Sequence, residues 1–314
     1  MPAPFAASLC GFRSKNGQVT ANPNTSDAND PGSVELGQAL FSELGVPSEK
    51  MVGKDAGARM EEAIQQHLQP LRPDLAICRS RSALEFEQYA HLRVFPEYVS
   101  KHREAAPSLE QLQKIADQLP ASVATSHLKK GLAKATAEFA EQDRMSARLK
   151  LYMPEESLLK LDLTCASVDE GRESFLHLGL SSKWSLRTDR AQDCVSQGSK
   201  LASQRRGPMP HYAVITMEPR PAMLKIIADQ SGSVDYVYHL DLPALIRAMK
   251  RVKSGKPANW SPGLTFDRLL KQGRIRDYDE LVSAVQAIPD RANSTIPQGA
   301  ITEAEEAAGG SEEQ

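Results

Sequence analysis

The chain has 314 residues, 40% of them hydrophobic and 25% charged, with a formal net charge of −2, the make-up of a soluble globular protein with length for one large domain or two small ones. No apolar run approaches the roughly 20 residues of a membrane helix, and the N-terminal MPAPFAASLC lacks the charged start and long apolar core of a signal peptide, so a cytoplasmic protein with no membrane partner is expected. The four cysteines, Cys10, Cys78, Cys165 and Cys194, form no CxxC pair, which argues against a disulfide framework or a cysteine-zinc site and leaves oxygen ligands for any metal.

In chain order, residues 1–33 are rich in Asn, Pro, Gly, Ser and Asp and read as an irregular arm. Helical periodicity follows at about 34–45, 56–69, 108–118 and 121–150, making an α-helical first half. From residue 158 the pattern changes to strands, LLKLDLTC, SFLHLGLSSKW, HYAVITME and DYVYHL, with the helical TDRAQDCVSQGSKLASQ between the second and third. Helices at about 242–252 and 264–287 close the pattern. The expected fold class is α/β of the mixed α+β kind: a central mixed β-sheet flanked by helices, one domain over 34–287 with its core at about 158–252. Residues 288–314, with five glutamates after residue 300, read as a disordered acidic tail.

Net charge near zero removes the simplest sign of a nucleic-acid binder, but the average hides a local asymmetry. Residues 182–206 carry Lys183, Arg187, Arg190, Lys200, Arg205 and Arg206 against Asp189 and Asp193. Just before them, strand alternation sets Lys160, Asp162 and Thr164 on one face of LLKLDLTC, and Gly179, Ser181 and Lys183 on one face of SFLHLGLSSKW. If these strands pair, Asp162, Ser181 and Lys183 converge. A carboxylate, a hydroxyl and an ammonium at adjacent strand ends suit metal-assisted phosphodiester hydrolysis. The same pattern also describes a half-exposed strand pair with a surface ion pair of little worth.

Arg187-Thr188-Asp189-Arg190 opens the following helix, with Thr188 or Asp189 as N-cap. Arginine can donate a bidentate pair to guanine and aspartate can accept from cytosine N4, so this helix start can read G·C pairs in a major groove. An amphipathic helix with its charges on the wet side accounts for the same residues. Upstream, Met60, Ile64 and Leu68 make a buried stripe that places Glu61 at its edge and Glu62 away from it.

The run from Leu178 to Leu240, above all SSKWSLRTDRAQ, with weaker matches at VGKDAGARMEEA and EQYAHL, closely resembles the NgoMIV-type restriction endonucleases of the PD-(D/E)XK nuclease superfamily, which cut DNA at GCCGGC. The resemblance implies a restriction-endonuclease-like core and Mg²⁺-dependent, site-specific cleavage of double-stranded DNA. It implies that Asp162 binds the metal, Lys183 is the active-site lysine, and the Ser182 carbonyl is a metal ligand. Ser181 stands where related nucleases have a second acid, and Glu61 matches a further active-site acid, against the alternative of an ordinary surface glutamate. Arg187, Asp189 and Arg190 would read the inner CCGG. A homodimer or homotetramer, a prokaryotic cytoplasm and a companion DNA methyltransferase follow from the same likeness.

Three departures stand out. Leu161-Asp162 replaces the family's Pro-Asp. Gln197 stands where the family has a helix glutamate, with Asp193 one turn earlier as a substitute ligand. The family's contacts to the outer G·C pair fall near Asn24, Lys54 and Met223, where the residue types differ, and Arg220 is the candidate to compensate. Two other classes fit the sequence: a sequence-specific DNA-binding protein whose nuclease site has decayed, and a repair or nicking nuclease of the same fold.

Overall fold

The structure is a computed structural model that describes residues 2–52, 55–101, 103–152, 159–168, 171–229 and 232–289. The described residues divide into two compact units, one formed by those within 1–81, 161–203 and 209–289, the other by those within 82–160 and 204–208. Read from sequence as one domain, 34–287 is thus resolved into a sheet-bearing unit and a helical one.

The N-terminal segment is not the irregular arm expected. After α1 (Ala6–Leu9) it forms a hairpin of β1 (Phe12–Lys15) and β2 (Gln18–Pro23). Asn16 and Gly17 at its tip both have positive φ, 52° and 77°, the backbone that a two-residue Asn-Gly turn provides. Helix α2 (Pro31–Glu43) then begins at Asp30, whose side chain accepts from the Gly32 and Ser33 N–H groups, with Pro31 in the first turn. Helix α3 (Ala56–Leu68) buries Met60, Ile64 and Leu68, as its periodicity requires, and leads to β3 (Leu75–Ser82).

The helical unit holds α4 (Val94–Lys101), α5 (Ala106–Asp117) and α6 (Val123–Tyr152). Helices α5 and α6 form a hairpin tied by an Ala105 N–H donated to Asp143 and a Lys129–Asp117 ion pair. Among the described residues no helix is long and apolar enough to cross a membrane.

The rest of the sheet-bearing unit is β4 (Lys160–Ser167), β5 (Phe175–Lys183), α7 (Thr188–Gln204), β6 (His211–Thr216), α8 (Pro221–Ala228), β7 (Tyr236–His239), α9 (Leu242–Ser254), α10 (Ser261–Lys271), β8 (Ile275–Asp277) and α11 (Tyr278–Gln286). The sheet runs β3-β4-β5-β6-β7-β8. Strands β4 and β5 pair antiparallel, while β5 through β8 are parallel and joined by helical crossovers, so the sheet is mixed and flanked by helices as expected. The single helix anticipated over 264–287 is instead α10, β8 and α11. Gly273, at φ 62°, ends α10 and lets Ile275–Asp277 pair with β7. The acidic tail lies almost wholly outside the described residues.

Two features of this core lend themselves to test. A Cβ at Gly198 of α7 would lie 2.0 Å from the Ser233 carbonyl and 2.8 Å from the Tyr212 ring, so only glycine lets α7 approach β6 this closely. Gly198→Ala is expected to destabilise by about 1–3 kcal/mol or more, read as a lower thermal midpoint; an unchanged midpoint would show that α7 can retreat freely. His239 is fully buried in β7, with Nδ1 accepting from the Asp241 N–H at 3.1 Å, and burial lowers its pKa from 6.5 to about 4. Between those values the unfolded chain binds a proton that the folded chain refuses. Stability should therefore be lost as the pH is lowered from about 6.5 to about 4, by up to about 3 kcal/mol. Urea titrations should give a shallower pH slope for His239→Gln than for the native chain; equal slopes would remove His239 from the acid response.

Candidate active site

The site forms where β4 enters the sheet and β5 leaves it. Leu163 pairs with Leu180 and Thr164 with Gly179 in the antiparallel ladder, and continuing that register sets Asp162 across from Ser181. Leu161 and Leu163 are buried on the opposite face, which holds Asp162 outward on the polar one. Its Oδ2 then accepts from three consecutive residues of β5: Ser181 Oγ at 3.2 Å, the Ser182 N–H at 2.7 Å and Lys183 Nζ at 2.6 Å. The Asp162 and Lys183 side chains are each about one-quarter exposed, 26% and 25%, so the pair is neither dry nor fully screened. Strand pairing thus brings together the three residues whose convergence was conditional in the sequence.

Glu61 joins them from α3. Half-buried, it has a carboxyl pushed above the usual range, first by burial and then by the charge of Asp162, with Lys183 and Arg79 opposing. Two carboxylates from different elements therefore share one electrostatic environment, and Glu62 points away, exposed.

Behind Asp162 lies a buried polar relay. Ser181 Oγ is 3.4 Å from the Cys194 Sγ, and Cys194, on α7, is held as a neutral thiol by burial. The Tyr212 hydroxyl donates to Gln197 Oε1 at 2.8 Å and lies 3.0 Å from the Cys194 carbonyl. Gln197 is accordingly engaged by a phenol. Asp193 is exposed on α7, and among the described residues no three or more His, Cys, Asp or Glu side chains gather as a metal cluster. Asp193 is thus not brought to Asp162 and Glu61, and its expected place as a substitute ligand has no geometric support.

Arg187, Asp189 and Arg190 are all exposed around the start of α7, with Arg187 Nη2 3.1 Å from Asp189 Oδ2. Arg220 corrects the expectation placed on it: its guanidinium is mostly buried and paired with the fully buried Glu218 at 2.7 Å, so it does not present itself to an outer base pair. Asn24 is buried too, its amide donated to the Leu9 carbonyl. Met223 sits half-buried at the start of α8, and Lys54 lies outside the described residues.

With this geometry in place the comparisons fall on the same residues. The family model of the NgoMIV restriction enzyme matches residues 157–282. The chain is also 28% identical over 250 residues to the type II restriction enzyme NgoMIV of Neisseria gonorrhoeae, an alignment covering 74% of this chain and 78% of that enzyme. The chain is thus similar to the NgoMIV restriction enzyme both in the family model and in the curated relative. Both likenesses support a site-specific deoxyribonuclease of the type II class.

A hard divalent cation, as type II restriction enzymes use, fits the donor set of this site. The available groups are all oxygens: two carboxylates, Asp162 and Glu61, and the main chain at Ser182. The three hydrogen bonds on Asp162 all fall on Oδ2 and none of them on Oδ1. Few protein ligands with water completing the shell is the habit of Mg²⁺ rather than of a protein-caged ion.

Sequence reasoning missed Arg79, Tyr212 and Glu218. Arg79 sits in β3, whose RSR run breaks the apolar pattern of a strand; Tyr212 looked like an ordinary core aromatic of β6. The run MEPRP did carry a signal for Glu218, a lone acid two residues after a strand that is almost wholly buried. Tyr212→Phe should cost about 1–2 kcal/mol by leaving buried acceptors at Cys194 and Gln197 without this donor, measured as a lower denaturant midpoint; no change would show that the hydroxyl contacts carry no stability.

Proposed function

We propose that this enzyme hydrolyses phosphodiester bonds in double-stranded DNA at a CCGG-core palindrome, GCCGGC, with Mg²⁺ as its metal. The observation that carries this reading is the meeting of Asp162, Ser181, Ser182 and Lys183 at one carboxylate oxygen, with Glu61 beside them and Arg187, Asp189 and Arg190 exposed just downstream. The relative's name supplies the activity class; the departures in this chain concern the ligand set and the outer base pair.

In this reading Asp162, Glu61 and the Ser182 carbonyl would hold the ion, which when bound would supply a lowered water pKa and a positive charge opposite the phosphate. Lys183 presents its ammonium beside the same carboxylate, where it can orient the attacking water or stabilise the charge that develops on the phosphate oxygens. Ser181 replaces an acid with a neutral donor, so it steadies Asp162 instead of adding a ligand charge. Arg187 and Arg190 donate to guanine O6 and N7, and Asp189 accepts from cytosine N4. A palindrome is met by a two-fold symmetric protein, so we further propose a homodimer, with pairs of dimers forming a homotetramer. The enzyme acts in the cytoplasm of a prokaryote beside a methyltransferase that protects the host's own sites.

Digesting a fully sequenced plasmid with native and Lys183→Ala proteins, with and without Mg²⁺, tests this directly. Discrete, metal-dependent ends at GCCGGC are expected, with cleavage lowered about 100- to 10,000-fold in the variant while specific binding persists. Binding to that palindrome with no turnover by the native protein would instead identify a decayed nuclease site, with Gln197 as its cause. Fragmentation without sequence preference would point to a repair or nicking enzyme.

A further inference from the structure

The residues assigned to base reading follow a short loop between β5 and α7, and a loop alone does not aim side chains. Leu186, immediately before Arg187, is fully buried, and both of its main-chain polar groups are gripped by side chains from the segment between β6 and α8. Its N–H donates to Glu218 Oε2 at 2.7 Å, and its carbonyl accepts from Arg220 Nη2 at 2.5 Å. The two gripping side chains also hold each other. Arg220 Nε and the Arg220 N–H both donate to Glu218 Oε1, at 2.7 and 3.0 Å. A second tie lies two residues earlier, where the Trp184 carbonyl accepts from the Met217 N–H at 3.2 Å. On its outer edge Arg220 Nη1 is 3.9 Å from Asp30 Oδ2, and Asp30 caps α2.

A buried ion pair is a poor device for stability alone, because apolar side chains of similar volume do as well or better. What it supplies here is direction. A planar guanidinium and a carboxylate, each using two edges, fix both sides of a single peptide-bearing residue. Holding the N–H and carbonyl of Leu186 fixes the path of the chain into Arg187, and with it the exit direction of that side chain and the start of α7.

We propose that Glu218 and Arg220 are positioning residues for sequence readout: together they clamp the Leu186 main chain and so aim Arg187, and through it the start of α7, at the base edges. This rests on the reading of Arg187, Asp189 and Arg190 as base-reading residues.

The test is a specificity ratio, kcat/KM on a duplex containing GCCGGC divided by kcat/KM on a duplex with one changed base pair in the CCGG core. Because both values come from one preparation, any loss of folded enzyme cancels. Arg220→Lys keeps a cation beside Glu218 but one ammonium cannot also span to the Leu186 carbonyl; Glu218→Gln keeps the shape and loses the charge. Each is expected to lower the ratio about tenfold, and neither should lower it further in an Arg187→Ala background, since residues acting through one another are not additive. An unchanged ratio in both variants, or an equal loss with and without Arg187, would overturn the proposal in favour of a purely structural pair. Failure of both conservative variants to fold would overturn it likewise, by making the pair a folding determinant. If native enzyme itself does not discriminate the two duplexes, or Arg187→Ala leaves the ratio intact, the recognition reading fails instead.

Discussion

A single carboxylate oxygen, Asp162 Oδ2, accepts from three consecutive residues of the neighbouring strand, and only one strand register permits this. Ser181 and Lys183 share a face of β5 with Asp162 across the ladder, and the Ser182 N–H lies between them. Slipping β4 against β5 by one residue would turn Asp162 toward the side now filled by Leu161 and Leu163 and would separate the acid from the lysine. The apolar face thus does more than supply stability, for it selects the register that assembles the site. Burial of an alternating leucine pattern is worth several kcal/mol per pair of side chains, more than the partly exposed Asp162–Lys183 pair itself contributes. In energetic terms the core leads and the site follows.

That ordering explains what could be read in the sequence. Alternation in LLKLDLTC and SFLHLGLSSKW is a local pattern, so the faces of Asp162, Ser181 and Lys183 were legible before the pairing was known. The α3 stripe placed Glu61 for the same reason. Elements set by non-local contacts were not legible. Strand β3, with Arg79 and Arg81 breaking its apolar run, becomes a strand only because β4 offers it a partner. Strand β8 is three residues long and lay hidden inside a helical pattern, since Asp277 and Tyr278 continue equally well as a helix start. The hairpin at Asn16-Gly17 is different: its turn signal was present, and the surrounding polar composition outweighed it. The role of Arg220 was misjudged because an arginine near a site looks like a reader of DNA until the buried acid beside it is seen.

Glu218 shows why such pairs escape a one-dimensional reading. Burial pushes its carboxyl above the usual range, while Arg220 and the Leu186 N–H pull the other way. Removing one partner of a buried pair costs about 3–5 kcal/mol, so neither residue is free to change alone. A clamp of this type therefore trades net stability for a fixed geometry, which is worthwhile only where a main-chain position matters. Leu186, directly before the exposed arginine and aspartate at the start of α7, is such a position.

The substitution at Gln197 follows the same logic. An amide there accepts from Tyr212 and needs no counter-charge, so the α7 side of the site is satisfied without a metal. A glutamate in that place would add a second negative charge behind Asp162 through the Ser181–Tyr212 relay, raising like-charge repulsion in a pocket that burial already desolvates. Glu61 already bears such repulsion from Asp162, relieved in part by Lys183 and Arg79. With a neutral amide on the α7 side, two carboxylates and a lysine would leave a net charge of about +1 around a divalent cation, which a DNA phosphate can offset, with water completing the shell. The neutral relay through Ser181, Tyr212 and Gln197 then backs Asp162 from the α7 side, and the charged groups gather at the β4–β5 edge and α3.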